Sequence, residues 1–361
     1  MVTISLCMII KDEEAVLERC LESVREAVDE IIIVDTGSTD SSIEIAKKFT
    51  DKVYNFKWVH HFAKARNYAF SKATMDYQMW LDADDILETG DLEKLIKLKK
   101  TLDPSVDIVT MRYNTHFDDN GVPVMTTTRE RLFKREKNFQ WQDAVHECIP
   151  ISGKVQAEEI YVTHKKLKAN PPGRNLIIYE NMIKNNEEFS PRQTYYYARE
   201  LMDNRIYDMA AKSFNEFLES KKGWSEDNIA SCYKLSQCYE QLGQKEKILP
   251  ILFKSFEFDV PRAEICAQIG YYFRNKEEFK KAIYWFELCL TLKKGSHGFI
   301  LNEYWDFIPP IELCYCYSKL GVLDKSYKYN QLAKKAKPHS KSVMHNEEWF
   351  KSINYPKDKN I

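Results

Sequence analysis

Residues 31–40 read IIIVDTGSTD, an apolar run that passes directly into an acidic turn. Four consecutive β-branched residues are typical of a strand that is buried on both faces. The glycine and the short polar residues that follow favour a turn that starts a helix. The segment therefore predicts a strand, a tight turn and a helix over residues 41–49.

The same unit of strand, loop and helix surrounds this segment. Residues 2–10 form an apolar, β-rich run, and residues 11–14 (KDEE) break it. Apolar residues then recur at helical spacing from Val16 to Val24. Further strands are predicted at residues 52–56 and 77–81, on either side of a helix at residues 63–72. This order predicts an α/β fold with a mostly parallel sheet covered on both faces, whose ligands bind beyond the carboxyl ends of the strands.

From about Pro191 the strand signal ends and the pattern becomes helical. Two motifs recur: Tyr207, Ala210 and Phe214 reappear as Phe279, Ala282 and Phe286, and CYEQLG at residues 238–243 is echoed by CYSKLG at residues 316–321. These echoes indicate an all-α domain of degenerate tetratricopeptide-like hairpins. Unrelated amphipathic helices in a bundle would give a similar pattern.

These changes in pattern divide the chain into four parts. Residues 1–170 form the predicted catalytic domain, residues 171–190 a linker with a first helix, residues 191–338 the repeat domain, and residues 339–361 a loosely ordered polar tail. The join is placed at Asn170-Pro171-Pro172-Gly173 because paired prolines and a glycine continue neither a helix nor a strand.

Composition excludes several classes of function. The 53 lysines and arginines nearly balance the 54 aspartates and glutamates, so no global field draws the chain to nucleic acid. The nine cysteines are scattered and lack the CxxC spacing of zinc ligands, which is typical of reduced core thiols. The start of the chain has no signal-peptide pattern, and no transmembrane segment is found. We therefore expect a cytoplasmic location; a homodimer is compatible with the sequence.

A second acidic turn, residues 82–85 (DADD), follows the apolar end of the strand at residues 77–81. Several carboxylates at a buried strand end repel one another unless a cation binds them, and hard oxygen ligands suit Mg²⁺ or Mn²⁺. Asp84 or Asp85 could instead cap the element that follows. Asp35 has the same two interpretations, a contact to a nucleotide or a capping turn. Two such turns on one sheet favour a nucleotide site. The motifs of ATPases and dinucleotide-binding dehydrogenases are absent from the sequence.

The residues resemble inverting glycosyltransferases of family 2, which have the GT-A (Rossmann-like) fold, and the subgroup with helical repeats is the most similar. The resemblance covers about residues 1–165. It rests on SLCMIIKDEE (5–14), VDTGSTD (34–40), FAKARN (62–67), LDADD (81–85), RLFK (131–134), VHE (145–147) and VTH (162–164).

The resemblance implies roles for individual residues. The implied donor-contact residues are Lys11, Glu13, Asp35, Thr36, Arg66, Asp82 and Arg131. The implied ligands of Mn²⁺ or Mg²⁺ are Asp82 and Asp84, the DXD pair, together with His164. Glu147 is the implied catalytic base, with Asp143 as the rival. For His164, Glu147 and Arg131, an exposed strand end, a solvated loop acid and a surface arginine remain the respective alternatives.

Three positions depart from the family pattern. Relatives often have Asn and Glu where this chain has Asp12 and Asp85, and both changes keep the polar or acidic character. The position of His61 is often aspartate in relatives, which puts any local role of that residue in doubt but leaves Arg66 intact.

The function that the resemblance implies is metal-dependent transfer of a hexose or N-acetylhexosamine from a UDP-sugar, with inversion, to a peptide or protein acceptor. This two-domain layout is similar to that of bacterial peptide S- or O-glycosyltransferases, and repeat grooves usually hold extended peptides. The alternatives are a cell-envelope saccharide or lipid-linked sugar as acceptor, a nucleotidyltransferase, and a repeat-based adaptor with a vestigial transferase domain.

Overall fold

The computed structural model describes residues 1–117, 121, 123–167, 171–293 and 303–356. The chain divides into two compact units, Met1–Glu188 and Phe189–Ile361. The division lies within the segment 171–190 that the sequence predicts as a linker with a first helix. Of the predicted join, Asn170 lies outside the described residues.

The first unit is built on one mixed sheet of eight strands among the described residues. The strands are β1 (Ile4–Ile10), β2 (Glu30–Asp35), β3 (Val53–Asn55), β4 (Tyr77–Trp80), β5 (Asp85–Leu87), β6 (Ile108–Phe117), β7 (Pro123–Lys134) and β8 (Val155–His164). Their order across the sheet is β3-β2-β1-β4-β7-β6-β8-β5. The four strands predicted from the sequence are thus confirmed, and they form one continuous half of the sheet.

The other half of the sheet corrects the expectation of a mostly parallel sheet. Strands β1 to β4 pair in parallel, but β7 pairs antiparallel with both β4 and β6, and β5 pairs antiparallel with β8. Strand β6 is parallel to β8. Long strands joined by a hairpin cannot be recognised from the helix-alternation pattern that predicts the parallel half.

Helices cover both faces of this sheet. The helices of the first unit are α1 (Leu17–Val24), α2 (Ser42–Lys47), α3 (Phe62–Phe70), α4 (Thr89–Thr101) and α5 (Arg174–Lys184). The first four contribute residues to the two cores that flank the sheet. Alternate residues of β1 face opposite sides: Leu6 and Met8 pack in the core that contains Leu17 of α1, whereas Cys7 packs in the core that contains Phe70 of α3. The predicted two-sided α/β layering is confirmed.

The second unit is all-helical. Its described helices are α6 (Pro191–Asp203), α7 (Tyr207–Ser220), α8 (Ser225–Gln241), α9 (Ile248–Lys254), α10 (Ala263–Asn275), α11 (Phe279–Thr291), α12 (Glu303–Asp306), α13 (Ile308–Lys319), α14 (Leu323–Ala336) and α15 (Lys341–Ser352). Successive helices pack as hairpins, most extensively α6 with α7, α10 with α11 and α13 with α14. This is the tetratricopeptide-like architecture that the sequence predicts.

The recurring motifs occupy equivalent places in this architecture. Ala210 and Phe214 lie fully buried on α7, and Ala282 and Phe286 lie fully buried on α11, each the second helix of its hairpin. The other pair of motifs ends the first helices α8 and α13. Gly243 and Gly321 follow these helices with φ values of 70° and 72°, a left-handed conformation that favours glycine.

The tail differs from the loosely ordered segment expected from the sequence. Ser340 caps helix α15 through its side chain, and Val343 and Phe350 are buried, each 1% exposed. These two apolar residues are seven positions apart and therefore lie on one face of the helix, a pattern that the lysine-rich composition conceals. Among the described residues, no helix combines the length and the apolar character that a bilayer crossing requires.

Candidate functional site

The two acidic turns lie at the same edge of the sheet. In the register of the parallel strands, Ile10 of β1 is opposite Asp35 of β2, and Cys7 of β1 is opposite Trp80 of β4. The strands run in the same direction, so Lys11, Asp35 and Asp82 follow their carboxyl ends. Strands β2 and β4 flank β1, which places their turns roughly 10 Å apart at about 4.8 Å per strand.

The Asp35 turn is closed by its own backbone. The Asp35 carboxylate is 2% exposed and accepts hydrogen bonds from the backbone N–H groups of Gly37 at 3.0 Å and Ser38 at 3.1 Å. Gly37 has a φ of 111°, which side chains other than hydrogen rarely permit. Capping therefore accounts for both of these contacts, while an ionised carboxylate has further acceptor positions for a bound base or ribose.

The loop after β1 is fastened to this turn. The backbone N–H of Glu13 donates to Ser42 Oγ at 2.7 Å, and the N–H of Thr39 donates to Asp12 Oδ1 at 2.7 Å. Thr36 Oγ1 donates to the carbonyl of Ile10 at 2.9 Å. These bonds bring four of the predicted donor-contact residues together: Lys11 is exposed, Glu13 is partly buried, and Asp35 and Thr36 are buried.

The Asp82–Asp85 turn is held differently. Its backbone closes through the Asp85 N–H and the Asp82 carbonyl at 3.0 Å, and β5 begins at once with Asp85. Because β5 pairs with β8, Asp85 lies directly opposite His164. His164 Nδ1 is 3.3 Å from Asp84 Oδ1 and 3.2 Å from Asp85 Oδ1. A residue 79 positions along the chain from Asp85 thereby joins the turn.

The clustered acids are not the pair expected from the sequence. Asp84, Asp85 and His164 each offer a ligand atom, and these atoms all lie within 4.8 Å of one another, whereas Asp82 is engaged by Arg66. Asp85 belongs to the predicted acidic turn but is not among the metal ligands expected from the sequence. Only the pairing of β5 with β8 singles it out.

Asp85 is fully buried and bears the largest share of the contacts. It accepts hydrogen bonds from Tyr113 Oη at 2.9 Å, from Arg131 Nη1 at 3.1 Å and from the backbone N–H of Asp82 at 3.2 Å. Arg131 lies between two aromatic rings, with its Cζ 4.0 Å from the centre of the Trp80 ring and 4.5 Å from that of Tyr113. These contacts hold the turn in place from its buried side.

The burial of Arg131 corrects one of its interpretations from the sequence. Its side chain is 0% exposed, so it is not a surface arginine, and its implied contact to the donor stays a prediction. The sequence cannot reveal this, because arginine in an alternating strand is usually exposed. The structure makes Arg131 a partner of Asp85.

Hydrogen bonding to Asp84 and to Asp85 raises the pKa of His164 to about 10, against the opposing effect of burial. At neutral pH the imidazole therefore carries a proton among these acids. A bound cation would replace that positive charge, with the neutral imidazole as a ligand.

The chemistry of the donor set fits a divalent cation. Four carboxylates (Asp82, Asp84, Asp85 and Glu147) meet two guanidinium groups (Arg66 and Arg131), which leaves an excess of negative charge before His164 is protonated. Carboxylate oxygens with one imidazole nitrogen suit Mn²⁺ and Mg²⁺. These residues can therefore hold the metal that the family resemblance implies.

Arg66 connects this turn to Glu147. Its Nη2 donates to Asp82 Oδ1 at 2.7 Å and its Nε donates to Glu147 Oε1 at 2.7 Å. Its Cζ lies 4.9 Å from the ring centre of Trp80 and 5.0 Å from that of Trp141. Burial alone would raise the pKa of Asp82, but the Arg66 guanidinium lowers it below its usual value.

Helix α3 fixes the segment that carries Glu147. Asn67 and Trp141 exchange two hydrogen bonds, from Asn67 Nδ2 to the Trp141 carbonyl at 2.9 Å and from the Trp141 N–H to Asn67 Oδ1 at 2.8 Å. The N–H of Phe62 donates to the carbonyl of Ala144 at 2.7 Å. Neither Asn67 nor Trp141 is predicted as a site residue from the sequence, although Asn67 follows Arg66 in the motif at residues 62–67. Asp143, the rival base, lies in the same segment with a φ of 71°.

Comparison with known proteins identifies the first unit. The family model "Glycosyl transferase family 2" matches residues 5–153. These residues form a glycosyltransferase family 2 domain. The match contains both acidic turns, Arg66 and Glu147, and ends before His164.

Two curated relatives extend this result. A TPR repeat-containing protein of Synechococcus elongatus is 36% identical over 149 residues, which are 41% of this chain and 36% of the relative. The SPbeta prophage-derived glycosyltransferase SunS of Bacillus subtilis is 26% identical over 232 residues, which are 60% of this chain and 54% of SunS. The chain thus spans about a third to a half of the length of these relatives.

Solved structures are similar to the chain over about half of its length. A thermophilic TPR protein of Thermus thermophilus superposes with a TM-score of 0.36 at 18% identity, covering 49% of this chain and 88% of that protein. The TPR protein YrrB gives a TM-score of 0.37 at 16% identity, covering 48% and 82%. Scores this low carry no conclusion about function.

Proposed function

We propose that this chain is a metal-dependent, inverting glycosyltransferase that transfers a hexose or N-acetylhexosamine from a UDP-sugar to a peptide or protein acceptor. The observation that carries the proposal is the position of Arg66, which pairs at once with Asp82 of the acidic turn and with Glu147. Both acids therefore belong to one site, as a transfer with inversion requires of its donor side and its base.

On the donor side, Asp35 and Thr36 contact the uridine, together with the loop from Lys11 to Glu13. Asp84 and His164 would hold Mn²⁺ or Mg²⁺ at this turn, with Asp82 and Asp85 as the further acids. When bound, the cation neutralises charge on the diphosphate as it leaves. Asp85 is held in place by Arg131 and Tyr113 and orients His164 through its own carboxylate.

On the acceptor side, Glu147 takes the proton of the acceptor group as that group attacks the anomeric carbon. Its Oε1 is held by Arg66 and its side chain is 13% exposed, so the carboxylate is oriented before an acceptor arrives. Asp143 remains the rival for this role. A positioned carboxylate base contributes about 10² to 10⁴ in rate.

The choice of a peptide or protein acceptor is supported by the second unit. Stacked helical hairpins usually present extended surfaces for polypeptides. The similarity to SunS covers 232 residues, more than the family 2 domain itself, so it includes residues outside that domain. A cytoplasmic location remains a prediction.

The test is release of UDP. Purified protein is incubated with a panel of UDP-hexoses and UDP-N-acetylhexosamines and Mn²⁺, with and without EDTA, and UDP is quantified. We expect release that EDTA abolishes, and transfer to peptides that mass spectrometry detects. Release of pyrophosphate would instead indicate a nucleotidyltransferase, and no turnover or binding of any UDP-sugar would contradict the proposal.

Glu147→Gln separates the base from donor binding. We expect the variant to keep its affinity for UDP in Mn²⁺ but to lose transfer by a factor of about 10² or more. The matched comparison is Asp143→Asn in the same segment. If the losses are reversed between the two variants, Asp143 is the base.

A further inference from the structure

Arg66 has a setting that differs from a donor-contact role. The residue is 7% exposed, and its guanidinium packs against the rings of Trp80 and Trp141, which also contact each other edge to face with 5.1 Å between their centres. Two of its nitrogens are used by Asp82 and Glu147, and the third, Nη1, is buried without a hydrogen-bond partner among the described residues. Little of this group is available to touch a uridine or a diphosphate.

The two carboxylates depend on this one cation. Asp82 and Glu147 are 65 positions apart in the chain, and both are bonded to the same planar group. A guanidinium that donates to two carboxylates and packs against two aromatic rings has few alternative orientations. The separation of the two acids is therefore set by the geometry of Arg66 rather than by their own loops.

A lysine could not reproduce this arrangement in full. Its ammonium is a compact charge without the fixed fork of the guanidinium, and it cannot pack flat against a ring while bonding two carboxylates in the same way. It would retain the positive charge that keeps two neighbouring acids from repelling each other. Charge and geometry can therefore be separated by comparing glutamine and lysine at this position.

We infer that Arg66 is a positioning residue that holds the base Glu147 at a fixed distance from Asp82 on the donor side, without touching the donor. This inference rests on the proposed function. Because the inferred role is to place Glu147, the effect of removing Arg66 on kcat should largely vanish once Glu147 has been replaced, while its effect through Asp82 should appear in the Kd for UDP in Mn²⁺.

The experiment is a double-mutant cycle with Arg66→Gln, Arg66→Lys and Glu147→Gln. We measure kcat and KM for UDP-sugar turnover, and Kd for UDP in Mn²⁺. Arg66→Gln should lower kcat by about 10²-fold, and Arg66→Lys should recover about tenfold of that loss. In the Glu147→Gln background, Arg66→Gln should change kcat by no more than about threefold, because residues that act as a unit are not additive.

Arg262→Gln is the matched control. Arg262 also pairs with two carboxylates, at 2.6 Å to Glu226 and 2.8 Å to Asp259, but it lies in the helical unit. We expect it to leave turnover of UDP-sugar without an acceptor unchanged. A fall as large as that of Arg66→Gln would mean that loss of any doubly paired arginine impairs the chain, and would overturn the inference.

Two further outcomes would overturn it. Full additivity of Arg66→Gln and Glu147→Gln, or a large rise in KM with kcat unchanged, would mean that Arg66 binds the donor directly. The same variants are also compared by urea unfolding, a measurement that does not depend on activity. We expect the effects of Arg66→Gln and Glu147→Gln on the unfolding equilibrium constant to be coupled by at least about tenfold. Independent effects would contradict the pairing. If the wild type releases no UDP while this coupling is present, the proposed function fails and the pairing stands.

Discussion

The two acidic turns follow strands of the same sheet, yet their carboxylates are held by different kinds of partner. Asp35 receives its hydrogen bonds from Gly37 and Ser38, two and three residues along the chain. The partners of the Asp82–Asp85 turn lie far along the chain: Arg66, Tyr113, Arg131 and His164. The Asp35 carboxylate is bonded within its own turn, whereas the carboxylates of the second turn are bonded mainly by side chains from other elements.

The difference distinguishes a carboxylate that caps its own turn from carboxylates that are grouped for binding a metal. A carboxylate whose bonds come from its own turn stabilises that turn whether or not a ligand binds. In the second turn, carboxylates pair with buried arginine side chains from other elements. Burying these charged groups costs desolvation free energy, and the turn could form without them. The second turn is therefore the candidate metal site, the role that the sequence gives it, whereas the sequence interprets Asp35 as a nucleotide contact or a cap.

The largest expected effect comes from breaking the buried pair under the second turn. Arg131→Met removes the cation beside Asp85, both fully buried, and should lower the free energy of unfolding by about 3–5 kcal/mol. Urea unfolding measures this. Arg129→Met is the control: Arg129 also lies over Trp80, at 5.9 Å, and shows no ion pair within the described residues. Equal small losses in both variants would contradict the assignment of Arg131.

Glu30 extends the comparison to the other end of β2, the strand that ends in Asp35. Burial alone would raise the pKa of Glu30, but hydrogen bonds from Lys52, Ser5 and Thr74 lower it to about 2. A lowered carboxyl pKa stabilises the fold above the unfolded value near 4.5, and this stabilisation is lost as the pH falls towards 2. It amounts to about 3 kcal/mol at neutral pH.

Unfolding curves from about pH 6 to about pH 2 test this prediction. Wild type should lose stability steadily below about pH 4.5, and Glu30→Gln should be less stable at about pH 6 but show a flatter profile. Profiles of the same slope for both proteins would mean that the Glu30 carboxylate is not held as the structure indicates.

The next effect concerns ligand binding at the second turn. Asp84→Ala removes a carboxylate beside His164 and should weaken UDP binding in Mn²⁺ by about 10²-fold, or about 3 kcal/mol. Calorimetric titration with UDP, with and without Mn²⁺, measures it. Because the loss depends on the cation, the metal-free affinities should match. An unchanged affinity in Mn²⁺ would count against a metal role for Asp84.

The smallest effect is expected at the first turn. Asp35→Asn keeps one side-chain oxygen that can accept a hydrogen bond from Gly37 or Ser38, so the loss of stability should be about 1 kcal/mol. Thermal unfolding checks this value. A loss as large as that of Arg131→Met would remove the contrast between the two turns.

Much of the fold follows from local patterns in the chain. The apolar run at Ile31–Val34 and the turn after it predict β2 and α2, and the Tyr/Ala/Phe spacing predicts the buried faces of α7 and α11. The antiparallel half of the sheet does not follow, because neither β7 nor β8 shows the helix alternation on which the parallel half is predicted. Helix α15 does not follow either, because Val343 and Phe350, its two buried residues, are separated by mostly polar residues.

Of the candidate site, the sequence by itself determined which carboxylates follow the ends of parallel strands, because the position of a strand end depends on nearby residues. Only the tertiary structure decided which cation each acid meets. The register of β5 with β8 brings His164 to Asp85, and the packing of α3 brings Arg66 between Asp82 and Glu147. Such pairings depend on distances between residues far apart in the chain, which no local pattern contains.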